Sequence, residues 1–159
     1  MKVDIVDKKS FAVIGKLGQG YADQGSQWIP PLWEATNRNF HEIEGLAKYD
    51  EEGNMVGIWG AMSDIDDSFH RWSDQGKYLA GCEADLTAVA PEGWTKWVIP
   101  SYRFLVVKCN RETYGQIFQT VISSYMPDNN YELVGAVHEF YLPKEKDDSL
   151  SLFFPIQIL

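Results

Sequence analysis

Glu139 sits between His138 and Phe140 in the run Leu133 to Leu142 (LVGAVHEFYL), whose other members are apolar or aromatic. A strand of this kind alternates its side chains. Leu133, Gly135, Val137, Glu139 and Tyr141 then share one face, and Val134, Ala136, His138, Phe140 and Leu142 the other. Either Glu139 or His138 must therefore point where apolar side chains point. In one reading Glu139 lies on a solvated face with Tyr141 beside it. In the other it is lowered into an aromatic cavity, where the cost of desolvation is tolerable only if a cation or a hydrogen-bond donor meets it.

The aromatic supply suits the second reading. Trp33, Trp59, Trp97, Tyr102, Tyr125, Tyr141 and Phe153 each fall on or next to a predicted core face. Aromatic faces attract cations by roughly 0.5 to 2 kcal/mol each, and with one carboxylate they make a receptor for flat or cationic lipophiles. The same set serves an enzyme, because a buried glutamate with a raised pKa can act as general base on water, with Tyr141 as its hydrogen-bond partner.

Other motifs fail on spacing. Gly18-Gln19-Gly20 opens like a dinucleotide fingerprint, but Asp23 stands where the third glycine belongs. Asp64-Ile65-Asp66-Asp67 opens like a calcium loop, yet its sixth position is Phe69 and its twelfth Gln75. His41, His70 and His138 fall singly, so no metal site and no cofactor is expected. Cys82 and Cys109 lie in apolar runs and read as reduced, core-packed thiols.

The elements that must position these residues follow from periodicity. Val3 to Asp7 and Phe11 to Leu17 read as two strands. Pro30-Pro31 suit a helix's first turn, and Leu32, Thr36, Phe40, Ile43 and Ala47 continue it as a buried stripe with Trp33 at its edge. Met55 to Met62 and Lys77 to Ala84 are two further strands, joined by a long acidic connection. After the turn Pro91-Glu92-Gly93 come strands at Trp94 to Ile99 and Tyr102 to Cys109. Asn110 can cap a second helix, whose face is Tyr114, Ile117, Phe118, Val121, Ile122 and Tyr125 and which Pro127 stops. Leu133 to Leu142 and Leu150 to Ile158 close the chain as strands around a charged turn at Lys144 to Asp148.

The order of elements therefore repeats. The expected fold is one α+β domain over residues 1–159, made of duplicated strand-helix-strand-strand units, about 1–88 and 91–159, with antiparallel sheets and two helices. A cleft at the pseudo-two-fold axis is the natural ligand site.

Composition narrows the partners. The 159 residues carry a formal charge of −9, which argues against direct nucleic-acid binding, since that draws on clustered Lys and Arg. No apolar run is long enough for a signal peptide or a bilayer span, so a soluble, cytoplasmic chain without a membrane partner is expected.

Three segments carry a family resemblance: IPSYRFLVV after the Pro91-Glu92-Gly93 turn, ELVGAVHEFYLP with Glu139 and Tyr141, and the closing LSLFFPIQI. In this order they make the chain similar to the GyrI-like small-molecule-binding domain, the effector-binding domain also fused to AraC-type and MerR-type regulators. The resemblance implies a duplicated strand-helix-strand-strand fold with a cleft at the pseudo-dyad, an acidic residue at Glu139, and aromatic walls for hydrophobic, often cationic, ligands. Trp59, Trp97, Tyr102, Tyr125 and Tyr141 are placed in the pocket by strand or helix phase as much as by resemblance. The chain contains no helix-turn-helix, so the expectation is a stand-alone binding domain for hydrophobic, cationic or planar compounds, with Glu139 as charge anchor. Some stand-alone members look like hydrolases that open cyclopropane rings of DNA-alkylating compounds, which here would use Glu139 to activate water and Tyr141 or Tyr102 to orient substrate. Others are gyrase inhibitors, and an interaction protein of that kind would have a protein partner, for which the acidic loop with Asp64, Asp66 and Asp67 is the sequence's one hint.

Overall fold

Period-two alternation makes the strands and pairs them in one antiparallel sheet. A computed structural model describes residues 1–143 and 148–159. Its strands are β1 (Val3–Lys8), β2 (Phe11–Tyr21), β3 (Ile58–Ser63), β4 (Gln75–Ala84), β5 (Thr95–Ile99), β6 (Tyr102–Asn110), β7 (His138–Tyr141) and β8 (Ser149–Ile158). They lie in the order β1-β6-β8-β7-β3-β4-β2-β5. Of the turn expected at Lys144 to Asp148, residues 144–147 lie outside the described residues.

The fold is α+β, as expected, and its two halves meet at the central β3–β7 pair. One half is β5-β2-β4-β3 and the other β1-β6-β8-β7, so the edge strands are exchanged. β1 is followed after two residues by β2, yet it pairs with β6; β5 precedes β6, yet it pairs with β2. The short links Lys9-Ser10 and Pro100-Ser101 thus join strands from opposite ends of the sheet. Such links can close only if the sheet curls, and at the closure Ser10 N–H donates to Ser101 Oγ at 2.8 Å. Lys8, at the end of β1, reaches across to Glu83 of β4 at 3.3 Å, and the indole N–H of Trp59 donates to the same carboxylate at 3.0 Å.

Each half lays one helix on the same side of the sheet. α1 (Gly25–Arg38) begins earlier than its prolines suggest, with Pro30 and Pro31 inside it rather than in its first turn. Thr36 fastens it to β4 by donating to the Ala80 carbonyl at 2.8 Å. Phe40, Ile43 and Ala47 follow beyond the helix end, in a 3-10 turn and the next loop, and still pack with Ile14 and Cys82. α2 (Tyr114–Thr120) runs on through a π-helical turn, Val121–Tyr125, into a last turn, Met126–Asp128. Its apolar face packs with Leu105, Leu152 and Phe154. Cys82 and Cys109 are buried and unpaired, and burial pushes both thiols up to about 11.

The expected strand Leu133 to Leu142 is only half realised, because strand pairing begins at His138. Ahead of it the Ala136 N–H is taken by the carbonyl of Phe69 and the Val134 N–H by that of Pro155. The acidic connection is thereby tied down: Phe69 packs edge-on to Trp97, Trp72 stacks on Trp28 of α1, and Lys77 bonds Asp67.

β2 and β4 approach closely where Gly15 faces Gly81. A Cβ on Gly81 would stand 1.9 Å from the Ile14 carbonyl oxygen, and one on Gly15 2.3 Å from that of Ala80. The obstacle is backbone in both cases, which cannot rotate away. Gly81→Ala is therefore expected to lower stability by roughly 3 kcal/mol, the upper range for overpacking, read from the urea midpoint.

Candidate functional site

The three-position register between β3 and β7, Ile58 with Tyr141, Trp59 with Phe140 and Gly60 with Glu139, decides which side chains face the helices. Ile58, Glu139 and Tyr141 do; Trp59, Phe140 and His138 point away. Above them, between α1 and the start of α2, lies a cleft of about 920 Å³. Ile29, Pro30 and Trp33 form its α1 wall, Arg111 and Tyr114 its α2 wall, and Ile58, Tyr78, Glu139 and Tyr141 its floor.

Glu139 is 8% exposed. Its carboxylate accepts from Tyr78 Oη at 2.5 Å, Tyr114 Oη at 2.5 Å and Tyr141 Oη at 3.2 Å. Charge-assisted bonds of this kind contribute about 1.5–3 kcal/mol each, which offsets part of a desolvation cost of several kcal/mol. Burial raises the Glu139 pKa against the pull of the three hydroxyls. The tyrosines rise as well, first by burial and then by the carboxylate's charge, so they remain donors.

Local structure fixes each donor. Trp33 Nε1–H donates to Tyr78 Oη at 3.0 Å, which turns the phenol's own proton toward Glu139. The Trp33 ring stands edge-on to Tyr141 at 5.5 Å between centroids. Tyr114 is presented by a reciprocal turn ahead of α2: Thr113 N–H donates to Asn110 Oδ1 at 2.9 Å and Asn110 N–H to Thr113 Oγ1 at 3.0 Å. Gly60 leaves the room the cluster occupies, since a Cβ there would stand 2.0 Å from Tyr78 Oη and 2.7 Å from Glu139 Oε1.

His138 faces the opposite core, fully buried. Its Nδ1 accepts the Met62 N–H at 3.1 Å, continuing the β3 ladder where β7 has no further backbone to offer, and burial lowers its pKa to about 3.

Of the residues singled out in the sequence, the structure brings Glu139, Tyr141 and Trp33 to the cleft. The others lie elsewhere. Trp59 is 1% exposed in the core on the far side of the sheet, packed on Phe11, Phe140 and Phe153, with its indole N–H committed to Glu83. Trp97, Tyr102 and Phe153 belong to the same core. Tyr125 packs on the core beneath α2. The physical reason is common to the first four: in a curled sheet both faces are buried, so an inward phase does not single out the cleft. Tyr78 and Tyr114 were not singled out, although Tyr78 shares its strand face with the small residues Ala80, Cys82 and Ala84, a row in which a phenol is conspicuous.

Comparison with known proteins bears on the fold. A family model described as Cass2, integron-associated effector binding protein, matches residues 4–156. Among solved structures, SAV2435 bound to tetraphenylphosphonium aligns at TM-score 0.71 with 15% identity, covering 99% of this chain and 94% of that one. The integron cassette protein from the mobile metagenome of Vibrio cholerae aligns at 0.63 with 12% identity over 98% and 95%. The EcmrR C-terminal domain aligns at 0.63 with 16% identity over 99% and 98%. The fold is thus that of the GyrI-like effector-binding domains. No curated protein sequence matches the chain. No helix of the described residues is long and apolar enough to cross a membrane.

A raised carboxyl pKa in the folded state contributes stability that is present below the unfolded value and lost as pH rises through the folded one. Glu139→Gln, which has nothing to titrate, is expected to gain stability relative to the wild type as pH rises from 4.5 to 8. Thermal midpoints measured across that range check the direction.

Proposed function

The chain belongs to the Cass2 family of integron-associated effector binding proteins, and on that premise we propose that its cleft binds hydrophobic, cationic or planar small molecules, with Glu139 as the charge anchor. The observation that carries the reading is the buried carboxylate at the floor of a cleft lined by Trp33, Tyr78, Tyr114 and Tyr141. Three hydroxyls donate to that carboxylate. A soft, weakly hydrated cation entering the cleft beside Trp33, Tyr114 and Tyr141 gains the Coulomb term and aromatic contact while losing little hydration. A strongly hydrated cation would lose more by desolvation than the site returns. Support also comes from SAV2435, whose structure holds tetraphenylphosphonium, a lipophilic cation of this kind.

Tetraphenylphosphonium is the direct probe, and triphenylphosphine oxide its neutral counterpart. Calorimetry is expected to show saturable binding of the phosphonium near one equivalent. Glu139→Gln weakens it tenfold or more, since removing one partner of a buried charge pair costs about 2 kcal/mol or above, and leaves the oxide unchanged. Trp33→Ala weakens both. Equal phosphonium affinity in the wild type and Glu139→Gln would refute the anchor. Because the ionised carboxylate is the binding form and its pKa is raised, phosphonium affinity falls as pH is lowered through that pKa while oxide affinity stays level.

A further inference from the structure

Arg111 is the one basic side chain among the described residues lining the cleft. It follows β6 directly and is held by the Asn110–Thr113 turn that also presents Tyr114. Among the described residues it forms no ion pair. It is exposed at the rim, and its charge is felt at the Tyr141 hydroxyl. A positive charge just ahead of α2 opposes the helix dipole, so helix stability does not explain its placement.

For a simple cation Arg111 works against binding. The opposite wall carries Glu34, so the mouth is acidic on the α1 side and basic on the α2 side, above an acidic floor. A plain cation meets attraction from Glu34 and Glu139 and repulsion from Arg111. A ligand that carries an anionic group as well can set its cation against the carboxylates and its anion against the guanidinium, which presents a planar fork suited to a carboxylate.

We propose that the cleft selects zwitterionic lipophiles, an aromatic body bearing a cation for Glu139 and a carboxylate or similar anionic group for Arg111 at the rim. This rests on the reading of Glu139 as anchor and specifies the ligand class that anchor serves. Arg111 is on this account a specificity determinant, and an ion pair at a partly exposed rim is worth up to about 1 kcal/mol, or roughly threefold to fivefold in affinity.

The test uses two phosphonium probes that differ at one substituent: (4-carboxyphenyl)triphenylphosphonium, zwitterionic at pH 7.5, and its methyl ester, a plain cation. Calorimetry on the wild type is expected to find the acid bound about threefold to fivefold tighter than the ester, a margin that narrows as salt is added. Arg111→Gln should bring the two affinities together by weakening the acid while leaving the ester equal or slightly tighter. Glu139→Gln should weaken both probes tenfold or more and keep their ratio. The inference is overturned if the wild type binds the ester as tightly as the acid, or if Arg111→Gln leaves the ratio unchanged while both probes still depend on Glu139. If neither probe binds, or both bind independently of Glu139, the anchor itself falls and the zwitterion reading falls with it.

Discussion

The arrangement of the cleft depends on seating one carboxyl group out of water. Glu139 is satisfied by hydroxyls from β4, α2 and β7, three elements far apart in the chain. Each imposes a condition on its surroundings. Tyr78 must turn its proton inward, which Trp33 on α1 enforces; Tyr114 must begin its helix at the right place, which Asn110 and Thr113 enforce; and Gly60 must carry no side chain. The cluster ties both helices to the central strands, so the geometry of the walls and the charge at the floor are set together.

The same central pair explains why the cleft lies where it does. β3 and β7 join the two halves of the sheet through three paired positions, and each half contributes one helix above them. Beneath them, on the far side, Trp59, Phe140, Phe153 and Phe104 fill the space made by the sheet's curl. The cleft is the gap that two helices leave when each is centred on its own half. The two halves differ in what they place around that gap: glycine at position 60 on β3, glutamate opposite it on β7.

Much of this is legible in the sequence, for reasons that differ by residue. Alternation in HEFY separates Glu139 from His138, and the paired strand then says which faces the helices. The face of α2 is visible along its whole length, since Tyr114, Ile117, Phe118, Val121, Ile122 and Tyr125 all pack on the core, while the π-helical turn at Val121–Tyr125 is not written in that pattern. Trp59, Trp97, Tyr102 and Phe153 have the inward phase expected of them, but phase alone cannot distinguish two buried faces. The late start of β7 is set by the carbonyl of Phe69, which takes the Ala136 N–H from far along the chain, and no local pattern encodes that. Arg111 is silent in the sequence because a lone arginine between a strand and a helix looks like solvent-facing surface until the cleft is seen.

The exchanged edge strands have a consequence for how the chain is made. β1 is synthesised before β6, its strand partner, with Val3 pairing to Val107 roughly a hundred positions later. At translation speeds of about 5–20 residues per second, the nascent segment Val3–Lys8 spends several seconds as a β-prone stretch with nothing to pair with. It carries Asp4, Asp7 and Lys8 among its apolar residues. In an antiparallel encounter between two such segments centred on Ile5 and Val6, Asp4 would stand across from Asp7, and like charges directly opposed disfavour the pairing. Two of those charges have partners in the finished fold, where Asp7 meets Arg103 and Lys8 meets Glu83. Asp7, which ties the strand to β6 in its distant half, thus also discourages it from joining a neighbour on the ribosome.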